Sequence, residues 1–150
     1  MPEITLLSLC GLHCDLCAQR SRIPRQAQAL RESLHLEGLE YWGPSLPGFD
    51  GFQVFLANLC EPDKSCPGCR QGGGPPDCAV RACALDRGVQ SCPFCPAFPC
   101  EPLQTFAKVY PTIIIDGARL ATIGFEAWNA EQQQRAKTGF TYSDIRCPSE

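Results

Sequence analysis

The sequence predicts a mostly α fold, a small single domain in which helices alternate with irregular Gly/Pro-rich loops clamped through cysteines. Three observations lead there. Apolar residues recur at helical spacing in several segments. The stretches between them carry Pro and Gly where neither a helix nor a central strand could continue. Twelve cysteines, against two histidines and one methionine, fall largely in those stretches. A chain of 150 residues with 44% hydrophobic content fits one domain. Residues 1–150 therefore read as a single cysteine-rich unit with a thiol-rich body, 1–102, and a helical tail, 103–150.

The opening Met1-Pro2-Glu3 has an acidic residue where a signal peptide needs positive charge, and the apolar stretch after it runs straight into Cys10. Ile23, Ala27, Leu30 and Leu34 then form an apolar stripe that ends near Gly38, with Pro24 placed for the first helical turn. Arg25, Arg31, Glu32 and Glu37 lie off that stripe, on a solvated face. Tyr41 to Phe49 is a turn-rich connector. Asp50 is placed as an N-cap with Gln53 completing a capping box, and Phe52, Phe55, Leu56 and Leu59 are expected to form the main core. Cys60, with no cysteine close by, is expected to be a buried small hydrophobe.

Residues 62–76 read as a loop that needs a tether, which Cys66 and Cys69 can supply. Asp77 is placed to cap a helix running to Arg87, with Gly88 closing it. Cys78 and Cys83 would stand about 140° apart on that helix, so either Cys78 sits at its non-helical entrance or the two serve different sites. Cys92 to Cys100 is a proline-locked loop with three thiols and no charge. The Ile113-Ile114-Ile115-Asp116-Gly117 run fits a strand and turn or a helix equally. Phe125 and Trp128 open a last helix with Glu131 and Arg135 as an i,i+4 pair and Gln132 to Gln134 on a solvated face.

Charge and hydropathy exclude several functions. The formal charge is −3 with a pI near 5.4 and no basic run, which leaves no electrostatic footprint for nucleic acid. No segment approaches the roughly 18 apolar residues of a membrane span, so a cytoplasmic setting is expected, where structural disulfides are disfavoured. There is no nucleophile elbow, phosphate loop or dinucleotide fingerprint, because Gly72-Gly73-Gly74 runs into Pro75 and Pro76 rather than lying between a strand and a helix. No catalytic residue is assigned, and a stand-alone enzyme is not expected.

The thiols carry the chemistry. A Cys-x-x-Cys turn lets two thiolates converge on one metal while backbone N–H groups face the sulfurs. Cys14/Cys17, Cys66/Cys69 and Cys92/Cys95 are three such pairs, and Cys10, Cys78, Cys83 and Cys100 bring the candidate ligands to ten. Two four-thiolate sites would use eight and leave two. All-thiolate ligation suits Zn²⁺ and iron–sulfur clusters alike. The uncharged surroundings of Cys92, Cys95 and Cys100 favour a shielded cluster, expected as 4Fe-4S, whereas Cys66-Pro67-Gly68-Cys69 has the form of a zinc knuckle. Cys10, Cys14 and Cys17 would share one face of an ideal helix as a three-thiolate claw. Their CxxxCxxC spacing resembles the cluster site of radical S-adenosylmethionine enzymes, but this chain is too short for the barrel on which that family carries it. His13 could replace a thiolate or bond a sulfur, and His35 is expected at the surface.

The ordered set Cys10-Gly-Leu-His-Cys-Asp-Leu-Cys17, Cys66-Pro-Gly-Cys-Arg70, Cys78-Ala-Val-Arg-Ala-Cys83, Gly88-Val-Gln-Ser-Cys-Pro-Phe-Cys-Pro-Ala-Phe-Pro-Cys100 and Ile123-Gly-Phe-Glu-Ala-Trp128 resembles the bacterial and archaeal family catalogued as domain of unknown function 3795. The likeness spans nearly the whole chain. It implies that the ten candidate cysteines are the family's own, with Cys60 outside the pattern, and it tips residues 112–138 toward helix. Relatives continue into a further Cys-x-x-Cys-Gly ribbon where this chain has only Cys147. The family's occurrence in anaerobes favours iron–sulfur, but the resemblance supplies no activity. Three roles are expected from these readings: an iron–sulfur protein passing electrons to a protein redox partner, a structural Zn²⁺ adaptor, or a thiol-redox or metal-handling protein.

Overall fold

The computed structural model describes residues 4–147, and the reading of Met1-Pro2-Glu3 lies outside the described residues. Among those described, the chain is mostly helical and has no strand, only an isolated antiparallel bridge between Leu7 and His13. The α-helices are α1 (Arg22–Leu36), α2 (Leu39–Trp42), α3 (Phe49–Leu59), α4 (Pro62–Ser65), α5 (Ala79–Asp86), α6 (Glu101–Phe106), α7 (Ile113–Ile123) and α8 (Phe125–Lys137). Single 3₁₀ turns at Cys14–Leu16 and Cys92–Phe94 underlie two of the Cys-x-x-Cys pairs; in the third, Cys66 ends α4 and Cys69 opens a 3₁₀ turn to Gln71. Helix α1 begins two residues before Pro24 and follows the predicted stripe, with Pro24 and Ala27 buried and Leu30 on its exposed side.

The main core lies under the thiol loops and not along α3. Leu9, Val80, Ala84, Cys92, Leu103 and Ile113 form it, with Phe98, Phe106 and Tyr110 packed around. Leu7, Leu120 and Trp128 make a second cluster, and Ala27, Leu56 and Cys60 a small third one between α1 and α3. Phe52 and Phe55, expected at the centre, are 40% and 61% exposed. Their helix is covered by α1, the short α4 and the Gly43–Ser45 turn, so one narrow face closes and the rest stays open. Cys60 is buried there as expected.

Helix ends differ from expectation in instructive ways. Gly48, in the left-handed region at φ 81°, starts α3, which places Asp50 inside the first turn instead of at the cap. Cys78, not Asp77, stands at the entrance of α5, and its sulfur accepts the Arg81 N–H at 3.5 Å. Residues 113–123 are helical, which settles the isoleucine run. Glu131 pairs with Arg119 at 2.6 Å and Arg135 with Asp116 at 3.2 Å, because α7 packs along α8 and offers each charge a partner across the helix pair. Gln132, assigned to the solvated face, is buried and accepts from Arg135.

Gly117 is where α7 meets the thiol loops. A Cβ there would stand 3.0 Å from Pro93 Cγ and 3.0 Å from Phe98 Cζ, so only a hydrogen fits between the helix and the Cys92–Phe94 turn. The tail thereby forms a floor for the last Cys-x-x-Cys turn.

Candidate metal centre

The segment 7–13 organises the site. Ser8 N–H bonds to Leu12 O at 2.9 Å, and Gly11, at φ 101°, turns the chain back, so Cys10 sits at a loop tip. Cys10, Cys14 and Cys17 therefore do not share a helical face: a hairpin-like loop carries the first and a 3₁₀ turn the others. The tip is pinned on one side by Cys92 N–H to Leu9 O at 2.8 Å and Ser91 Oγ to Ser8 O at 2.9 Å. On the other side Leu9 N–H donates to Cys69 Sγ at 3.2 Å, and Arg70 Nε to Leu7 O at 2.8 Å.

The ten candidate thiols are thereby drawn into two groups with Cys10 and Cys78 between them. In the first, Cys14 is close enough to Cys69, Cys17 and Cys66 to feel their charges, and Cys17 likewise to Cys66. The two turns are tied by Gln19 Nε2 to Ser65 Oγ at 3.0 Å, by Ser65 Oγ to Gln19 O at 2.9 Å, and by Arg20, which binds Cys66 O and Asp63. Burial pushes the Cys14 thiol up to about 12, and Cys17 is raised for the same reason, while the Arg20 charge pulls both back. In Cys66-Pro67-Gly68-Cys69, Gly68 adopts φ 97°, and a Cβ on Gly73 would stand 2.8 Å from Cys66 Sγ. The loop wraps that sulfur with bare backbone.

In the second group Cys83, Cys92, Cys95 and Cys100 line one cavity of about 80 Å³, with Ala84 and Phe98 among its apolar walls. Burial is the main reason the Cys92 thiol is pushed up to about 12, and the neighbouring Cys10, Cys100, Cys83 and Cys95 raise it further. Arg87 lies at this cavity, and its guanidinium is held in the charged form by Cys83 and Cys95. Cys83 thus belongs to this group, whereas Cys78, at the entrance of α5, neighbours Cys10. Of the geometric alternatives for that pair, the first holds: Cys78 sits at the non-helical entrance of α5.

As placed, all twelve cysteines are free thiols, and among the described residues no three His, Cys, Asp or Glu side chains stand closely enough to hold a single metal ion. The donor sets nonetheless fit thiolate-bound groups. Each holds four sulfurs from two or three loops, a nearby arginine offsets thiolate charge, and at Cys69 a backbone N–H already faces sulfur.

His13 does not join either group. Its Nδ1 accepts the Asp15 N–H at 3.2 Å, its Nε2 donates to Asn129 Oδ1 at 2.7 Å, and its ring lies 5.6 Å from Trp128. Burial holds its pKa below the ordinary value, so it is a neutral cap of the Cys14–Leu16 turn. His35 is exposed, as expected, and pairs with Glu40. Arg20, Arg70 and Arg87 went unassigned on the sequence. Arg70 directly follows a Cys-x-x-Cys pair, a signal that could have been used; Arg87 is placed by the fold alone.

A mostly helical chain that brings its cysteines together in loops of this kind defines the class. A family profile described as protein of unknown function (DUF3795) matches residues 6–105, so the chain belongs to that family. The match covers the thiol loops and ends before α7, short of the near-complete likeness expected. No curated protein and no solved structure matches the chain.

Proposed function

We propose that the chain is an iron–sulfur protein whose role is one-electron transfer with a protein redox partner, in the cytoplasm and without nucleic acid or membrane as a partner. Cys14, Cys17, Cys66 and Cys69 would form one centre, and Cys83, Cys92, Cys95 and Cys100 the other. The observation that carries this is the cavity of about 80 Å³ among the second four thiols. A zinc ion draws its sulfurs to about 2.3 Å and leaves no such space, whereas a cluster needs a dry chamber walled by thiolates. When bound, such a cluster supplies a site that takes up one electron without bond making. Ala84, Val89 and Phe98 give that cavity apolar walls, and the Arg87 charge lies beside Cys83 and Cys95. No helix among the described residues is long and apolar enough to cross a membrane.

The first group also supports a second reading, a structural Zn²⁺ site in an adaptor without turnover. Its two turns are already tied by Ser65 and Arg20, and Gly73 backs Cys66 as in a closed knuckle. Anaerobic purification with iron, acid-labile sulfide and zinc analysis and an absorption spectrum separates the two. Brown protein bleached by dithionite is expected, with the second centre's share of the colour and iron lost in Cys95→Ser. Colourless protein with stoichiometric zinc and no iron or sulfide refutes electron transfer.

A further inference from the structure

The α1–α3 lobe carries two surface features that its own packing does not use. Of the eleven large hydrophobic side chains exposed among the described residues, eight lie between Leu30 and Phe55, with Tyr41 at 93% and Leu36 at 85% the most open. The same stretch holds Glu32, Glu37, Glu40 and Asp50 against Arg31, a net −3 that equals the formal charge of the whole chain, so all other residues balance. Apolar and anionic surface thus coincide. Between α1, α2 and α3 lies a groove of about 420 Å³, with Leu34, Leu39 and Leu56 among its apolar walls and Arg31, Glu32, His35 and Glu40 among its polar ones. Its surroundings are held in place: His35 Nδ1 and Glu40 Oε1 bond at 2.6 Å, and Trp42 Nε1 donates to Glu37 O at 2.9 Å. No cysteine lines it.

We propose that this groove docks an amphipathic helix of a partner protein whose apolar face is flanked by lysine or arginine. Apolar side chains gathered on a water-facing surface mark an interaction site, and a helix laid into a groove between helices fills it with side chains at i, i+3, i+4 and i+7. Phe52 and Phe55 neighbour the groove residues Gln53 and Leu56 along α3 and offer exposed aromatic anchors. Charge selects the occupant. A second copy of this chain would set −3 against −3, whereas a cationic helix meets Glu32 and Glu40 in the groove wall and Glu37 and Asp50 in the same stretch. Arg31, also in the wall, opposes such a helix, but the four carboxylates outnumber it. The assignment is independent of the metal centres.

The test gives the purified full chain a fluorescein-labelled leucine/lysine amphipathic helix of about 14 residues and, in parallel, its leucine/glutamate counterpart, read by fluorescence anisotropy at low salt. The lysine helix should bind with a Kd on the order of 10 µM and the glutamate helix about tenfold more weakly. Glu32→Lys should weaken the lysine helix about tenfold and strengthen the glutamate helix, whereas Glu126→Lys, the same charge change on α8, should leave both within about twofold. Phe52→Ser combined with Phe55→Ser, at exposed positions, should weaken the lysine helix about tenfold. Equal affinity for the two helices, equal losses from Glu32→Lys and Glu126→Lys, or unchanged binding by the double phenylalanine variant overturns the groove. The comparison of the two helices on the unaltered chain does not depend on any variant folding. Sedimentation equilibrium of the chain alone should give the 16.4 kDa monomer; a dimer that Phe55→Ser dissociates overturns the cationic partner in favour of a second copy.

Discussion

Cys60 shows how much a single residue's surroundings decide. It has the same side chain as the ten candidate ligands, yet it is buried against Ala27 and Leu56, and the Gln28 amide binds its carbonyl at 3.2 Å. Cys60→Ala should leave metal content unchanged and lower unfolding stability by about 1 kcal/mol, the loss of one buried atom's packing. Metal analysis with urea denaturation checks both, and metal loss would place Cys60 in a centre. His13 makes the converse point. Its position inside a cysteine motif suggested a ligand, and only the approach of Asn129 and Trp128 from α8, more than a hundred residues later, turns it into a cap.

At the scale of elements, the tail helices act on the thiol loops by contact. α7 lies against the Cys92–Phe94 turn with Gly117 at the closest approach, 3.0 Å from Pro93 for an added Cβ. Gly117→Val should therefore lower stability by about 2 kcal/mol through overpacking, a fall in Tm of about 4–8 °C for a chain of this size. If the proposed second centre binds metal, the same variant should release it faster than wild type, because Pro93 follows Cys92. Calorimetry and transfer to a chelator measure the two effects; a Tm at or above the wild-type value would mean that the turn moves aside freely. On the sequence Gly117 was part of an ambiguous run. Its helical state follows from packing, since a helix presents Ile113, Gly117 and Leu120 on one face toward the core.

For the molecule as a whole, the thiol sites set the response to pH. Burial raises three thiols above the ordinary value of 9.0, Cys10 to about 11 and Cys14 and Cys92 to about 12. Between 9.0 and about 12 the unfolded thiols ionise while the buried ones keep their protons. The unfolded state then binds fewer protons, so the metal-free chain loses stability as pH rises through that window. Metal binding requires thiolates and must displace these protons, so affinity rises with pH. Loading Zn²⁺ or Cd²⁺ near pH 7 should release about four protons per ion, and the loaded protein should keep its urea midpoint between pH 7 and pH 10 while the metal-free protein does not. Proton release near zero would rule out thiolate ligation.

The sequence by itself determined that the chain is mostly helical, that its loops cannot be regular, which helices run through 22–36 and 79–86 within a residue or two, and that another starts at Phe125. These follow from local physics: apolar period, the missing proline donor and glycine's entropy. Cys60 as a packing residue was legible for the same reason. Only the tertiary structure decided which thiols are neighbours. Cys14 meets Cys66 and Cys69 across some fifty residues, and Cys83 faces Cys92 and Cys100, because the 7–13 loop is pinned between two turns by Leu9 and Ser91. Spacing along the chain cannot encode such contacts; loops brought together by a shared core can.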